Sequence, residues 1–142
     1  MPANLLLTAP HPSRSPRVPE TQILRETLVL LSALTIPGSP RVPACRVWRQ
    51  QVGTFRQLYS EAKIKVGTEG MADIGGILHG GRALQIEMKA EGGQLSEAQR
   101  NWREMVLSFG GLYFVARSPG FAVAAVLEAL GYPPSPPTGG GA

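Results

Sequence analysis

The sequence predicts an α/β fold: a sandwich with a central mixed β-sheet flanked by helices. Three observations predict it. A helical apolar stripe runs over residues 20–34. Two runs, 70–78 and 82–89, meet at the tight turn His79-Gly80-Gly81 and read as an antiparallel hairpin. A capped amphipathic helix then leads into 112–116, a short and nearly all-apolar strand of the kind reached by a crossover in a parallel sheet. The order is helix, strand, strand, strand, helix, strand, helix.

Taken in order, residues 1–18 are rich in Pro, Ser and Arg and read as a flexible basic arm, with Arg14 and Arg17 as non-specific phosphate contacts. In the first helix Ile23, Thr27, Leu30 and Leu34 recur near helical spacing, and Leu24, Leu28 and Leu31 widen the stripe. Pro19 precedes its start and Pro37-Gly38 ends it. Glu20 suits the positive end of the helix dipole, and Glu26 suits a solvated face. Residues 36–43 form a Pro/Gly/Ser turn region. Residues 44–52 alternate and carry β-branched and aromatic side chains, as a strand closed by Gly53 does. There Trp48 reads as sheet packing, Cys45 as a small buried hydrophobe, and Arg46 and Arg49 as a DNA-facing pair. Residues 54–66 are read as an irregular loop or short strand over the site. Their Arg56, Lys63 and Lys65 alternate with Phe55 and Tyr59, which makes the segment the leading candidate for nucleic-acid backbone contacts.

In 82–89 Leu84, Ile86 and Met88 face one way, and Ala83, Gln85, Glu87 and Lys89 the other: a packed back and a chemical front. Ser96-x-x-Gln99 is a capping box opening the next helix. Ala98, Trp102, Met105, Val106 and Phe109 are its expected buried stripe, with Gly110-Gly111 at its end. Arg117-Ser118 follows the apolar strand, where α/β folds place ligand groups. A last helix covers 120–130, and 132–142 is a Pro/Gly tail, expected to be disordered.

Composition bounds the function. The chain has 142 residues, one domain's worth, and a net charge of +4. The charge favours a polyanionic partner. A single cysteine excludes an internal disulfide, and no Cys/His cluster suits zinc. No apolar run has membrane-spanning length, and Leu5-Leu6-Leu7 is too short for a signal peptide, so a cytoplasmic protein is expected.

The chemistry centres on Asp73 in the first hairpin strand and Glu87-x-Lys89 in the second. Hairpin pairing can bring the two carboxylates together, where they repel unless a cation lies between them. Hard divalent ions such as Mg²⁺ prefer oxygen ligands. A neighbouring lysine can position a water or neutralise phosphate charge. These are the parts of metal-assisted phosphodiester hydrolysis, although an acid-x-Lys triplet alone is common and also fits an exposed ion pair.

The surrounding words narrow this. Gly70-x-Ala72-Asp73-Ile74, Gly81-Arg82, Ile86-Glu87-Met88-Lys89, Gly92-Gly93-Gln94-Leu95-Ser96-x-x-Gln99 and Gly110-Gly111-x-Tyr113-x-Val115-x-Arg117-Ser118 resemble the VRR-NUC domain (virus-type replication-repair nuclease) of the PD-(D/E)xK superfamily. The resemblance runs over about residues 20–130. Ala72 departs from the proline of the superfamily name, at a position that only shapes the turn.

The resemblance implies a restriction-endonuclease-like α/β sandwich over 19–131 and a Mg²⁺- or Mn²⁺-dependent DNA endonuclease of the stand-alone phage or bacterial type. It implies Asp73, Glu87, the Met88 backbone carbonyl and a first-helix acid, with Glu20 the better match, as metal ligands. Lys89 then orients or deprotonates the attacking water, and Gln99 supports it, a role that competes with capping. It also implies a homodimer cutting branched DNA such as four-way junctions and leaving a 5′-phosphate. By position, Gln50 or Gln51, Lys63, Lys65 and Arg117 join Arg46 and Arg49 as candidate DNA contacts. Two rivals stay open: a non-catalytic DNA-binding module, and a flap or nicking nuclease with the same metal site.

Overall fold

The first helix, α1 (Glu20–Ala33), buries Ile23, Leu24, Thr27 and Leu31, one face of a 3.6-residue period. Thr27 is a polar residue inside that face, and its hydroxyl donates to the Ile23 carbonyl at 2.7 Å, so it is buried without loss. Val29 and Leu30 are exposed. Leu30 was expected in the stripe and instead lies at its edge. The computed structural model describes residues 17–134. The expected basic arm up to residue 16, with Arg14, and the expected tail from residue 135 lie outside the described residues.

After α1 the chain makes a small hairpin, β1 (Thr35–Ile36) and β2 (Ser39–Pro43), where the sequence predicted only a turn region. Pro37-Gly38 forms its turn. Pro40 and Pro43 lack an N–H and are tolerated because the ribbon has only two strands.

The main sheet comprises β3 (Cys45–Arg49), β6 (Ile74–Leu78), β7 (Ala83–Met88) and β8 (Leu112–Ala116), side by side in that order. β3, β6 and β7 are antiparallel neighbours, and β8 runs parallel to β7. The crossover is α2 (Glu97–Ser108), and α3 (Pro119–Ala129) follows β8. The sheet is therefore mixed, as predicted. In chain order β3 and β6 are separated by a ribbon of its own, β4 (Gly53–Arg56) and β5 (Lys63–Val66), paired only with itself among the described strands. The sequence reading of 54–66 as an irregular loop or short strand understated this pairing.

One face of the sheet is the core. Cys45, Ile74, Leu78, Leu84, Ile86, Met88 and Ala116 pack there against Ile23, Leu24 and Leu31 of α1 and Ala122 and Val126 of α3. Burial pushes the Cys45 thiol up to about 11, as for a small hydrophobe and not a nucleophile. The opposite face carries α2 over a smaller cluster of Ala72, Val106 and Tyr113. Of the expected α2 stripe only Val106 is fully buried, and Phe109 is 85% exposed. α2 packs on β8, an edge strand with no neighbour on its outer side among the described strands.

Gly70 sets how closely α2 approaches the sheet. It has φ +81°, and a Cβ there would lie 2.1 Å from the Ala98 carbonyl oxygen. Gly70→Ala is expected to cost about 2–4 kcal/mol from the left-handed backbone and the helix clash together. That corresponds to a Tm lower by about 8 °C or more by circular dichroism. An unchanged Tm would mean that α2 does not rest on this segment.

Candidate active site

Residues directly opposite each other in neighbouring strands share a face. The register therefore lays one rung across the α2 face of the sheet: Trp48, Gly75, Gln85 and Tyr113. Asp73, just before β6, is in phase with Gly75, and Glu87 is in phase with Gln85, so both acids leave the sheet on this face. Gly75 keeps the rung open. A Cβ there would fall 2.5 Å from the Gln50 side-chain oxygen and 3.0 Å from the Trp48 indole nitrogen.

The Gln50 amide donates to the Ala72 carbonyl (2.9 Å) and to Gln85 Oε1 (2.8 Å). Trp102 Nε1 donates to the same Gln85 oxygen at 3.0 Å. This network ties β3, β7 and α2 together beneath the acids. Asp73 Oδ2 accepts from the Met88 N–H at 2.8 Å, which fixes its carboxylate against the end of β7. Glu87 is only 3% exposed. Its Oε1 accepts from Gln99 Nε2 at 2.6 Å and lies 3.6 Å from Lys89 Nζ. Its Oε2 is buried and has no partner.

Gln99 does not have to choose between its two roles. Its Oε1 accepts from the Ser96 N–H (2.9 Å) to close the capping box, and its Nε2 faces Glu87. The box orients the amide, so its N–H points at the acid.

Burial, then the adjacent Asp73 carboxylate, push the Glu87 carboxyl up to about 8, against a smaller downward pull from Lys89. The folded state then holds a proton that the unfolded chain releases near the ordinary carboxylate value. The contribution of this group to metal-free stability is therefore fully present below about pH 4.5 and lost as pH rises through about 8. The expected Tm falls by at least ~4 °C over that window, and Glu87→Gln flattens the fall. A wild-type Tm that rises over the same range would contradict the burial of this acid.

A buried carboxylate oxygen without a partner, beside a second carboxylate, is a poor arrangement for protons alone and a good one for a hard cation. Among the described residues no group of three or more His, Cys, Asp or Glu converges. Two carboxylates nevertheless suffice for an ion that keeps several waters.

The other predicted residues are dispersed. Glu20 lies next to the strand end, its carboxylate accepting from the Ala90 N–H at 3.4 Å, outside the Asp73–Glu87 pair. The Met88 peptide is at the pair through its N–H. Arg117 clamps the loop after Lys89 by donating to the Ala90 and Gly93 carbonyls, so its guanidinium is engaged. Arg46 and Arg49 are both exposed. Arg49, with Gln50, Gln51, Val52, Phe55 and Ala72, lines a cleft of about 250 Å³ that opens onto Asp73. Arg46 does not line it. Lys63 and Lys65 are exposed on the β4–β5 ribbon.

Sequence reading missed the joint role of Trp48, Trp102 and Tyr113. Trp48, expected in sheet packing, is 49% exposed on the site face. Tyr113 carries a buried, unpartnered hydroxyl, and burial followed by the charge of Glu87 raises its pKa. Trp48 and Tyr113 join this face only through the cross-strand register, and Trp102 only through the packing of α2, so no local signal marked them.

A family model, the VRR-NUC domain, matches residues 29–119. The chain belongs to the VRR-NUC domain family. The matched span contains Asp73, Glu87, Lys89, Gln99 and Arg117, and begins after Glu20. No curated protein and no solved structure matches the chain. The VRR-NUC assignment makes the domain a nuclease, with DNA as the substrate it implies. No helix among the described residues is long and apolar enough to cross a membrane.

Proposed function

We propose that this VRR-NUC protein is a Mg²⁺- or Mn²⁺-dependent DNA endonuclease that hydrolyses phosphodiester bonds in branched DNA such as four-way junctions. The observation that carries the metal dependence is the buried Glu87 Oε2, which has no partner beside Asp73. Asp73 and Glu87 would hold the ion, with the Met88 carbonyl and Glu20 as further candidate ligands. Once bound, it supplies Lewis-acid stabilisation of the charge that builds on the phosphate.

The remaining work belongs to the chain. Lys89 reaches the site from the same face as Glu87 and orients the attacking water by donating to it. Gln99, held by its capping box, keeps Glu87 Oε1 fixed so that the carboxylate presents its free oxygen inward. The Gln50–Gln85–Trp102 network holds the floor of the site rigid. Attack in line with the departing 3′ oxygen leaves a 5′-phosphate.

A homodimer would place two such sites on two strands, which suits a two-fold symmetric junction. The test is a substrate panel: a four-way junction, a flap and a linear duplex of matched sequence, each end-labelled and cut in Mg²⁺. The expected result is fastest cutting of the junction by paired incisions. Equal rates on all three would remove the branched-DNA preference, and a preference for the flap would replace it.

A further inference from the structure

The β4–β5 ribbon is a two-faced element. Its register pairs Thr54 with Lys65 and Arg56 with Lys63 on one face, and Gly53 with Val66 and Phe55 with Ile64 on the other. One face is thus cationic and the other apolar. Phe55, Ile64 and Val66 are all exposed, with Phe55 at 46%. The tip carries Leu58 at 93% and Tyr59 at 100% exposure. Over 53–66 there are three basic residues against one acid, Glu61. An isolated two-stranded ribbon that leaves both faces and an aromatic tip in water has buried almost nothing for its own stability.

The ribbon is also in the right place. Phe55 forms part of the wall of the cleft that opens onto Asp73. Tyr59 is four residues beyond Phe55, so the tip stands within about 14 Å of the cleft wall. The cationic face complements phosphates. The apolar face and Tyr59 find no partner on the outside of a paired duplex, which offers sugar and phosphate, but they do on bases that have lost their pairing.

We infer that the β4–β5 ribbon binds unpaired nucleotides of a DNA strand next to the scissile phosphate, stacking bases on Tyr59 and Phe55 while Arg56, Lys63 and Lys65 hold the backbone. The inference rests on the nuclease reading for what the strand is doing there. It ties a preference for forks, flaps and junctions opened at their centre to one element, because these present unpaired bases beside a cuttable bond.

The experiment uses the full chain with Lys89→Ala, so that DNA is not consumed. Binding is followed by fluorescence anisotropy on a forked DNA and on a duplex of equal length, with 2-aminopurine in the unpaired arm of the fork. The double variant Leu58→Ala/Tyr59→Ala should lose at least about tenfold more affinity for the fork than for the duplex, and should lose the change in 2-aminopurine emission seen without it. Lys63→Ala/Lys65→Ala should lower affinity for both DNAs and reduce the salt slope by about 2. Equal losses on fork and duplex from the tip variant would overturn the inference, as would an unchanged salt slope from the lysine variant. A tip variant that turns a dimer into a monomer by light scattering would also overturn it, and would assign the apolar face to a second copy of the chain. Wild-type cutting is measured separately in Mg²⁺. Cutting without a 2-aminopurine response sinks only the ribbon, and a response without cutting sinks only the nuclease.

Discussion

Lys89→Ala is expected to lower the cleavage rate by about 10²–10⁴-fold while leaving DNA affinity nearly intact. Lys89 is the cation that reaches the acids, with Nζ 3.6 Å from Glu87 Oε1 and the side chain 17% exposed. Its backbone N–H donates to the Ala116 carbonyl at 3.1 Å, and that bond survives truncation. The strand end therefore keeps its place, and the loss falls on the chemical step. Single-turnover cleavage with saturating enzyme, alongside anisotropy binding, separates the two. Cutting at the normal rate would remove Lys89 from the mechanism.

Asp73→Asn should weaken Mn²⁺ binding at least about 100-fold by calorimetry. The substitution is close to isosteric, and an amide oxygen can still accept from the Met88 N–H, so the carboxylate charge is the main thing lost. Without it the repulsion that pushes the Glu87 carboxyl up also disappears, and that carboxyl should ionise more readily. Fold and charge effects are thus separable: Tm holds while metal affinity falls. Unchanged affinity would sink the ligand assignment.

The site was legible where its residues are close in sequence. Asp73, Glu87 and Lys89 sit on one hairpin whose turn is written in His79-Gly80-Gly81; two-residue alternation puts Glu87 and Lys89 on one face, and the hairpin pairing can bring Asp73 to them. Gln99 was legible as a cap, and only the fold shows that its second group reaches Glu87. The β8 strand and its parallel pairing followed from the length of the crossover and the apolar run. What stayed hidden depends on register across strands. Gln50 and Gln85 are 35 positions apart and bond directly, and nothing local to either residue marks the other. The exposed Phe109 and Trp48 were misplaced for a related reason: periodicity says which residues share a face, not whether anything covers it. The β4–β5 ribbon was unclear because its alternation of basic and apolar residues is equally that of a basic loop.

The central claim is that the Asp73–Glu87–Lys89 cluster is a metal-dependent phosphodiesterase. Its most direct test is cleavage of one labelled four-way junction by the wild-type chain, in Mg²⁺ and in EDTA, with the new 5′ end assayed for phosphate. The account predicts cutting in Mg²⁺, none in EDTA, and a 5′-phosphate on the product. Binding without cutting under Mg²⁺ and Mn²⁺, or cutting that persists in EDTA, would contradict it.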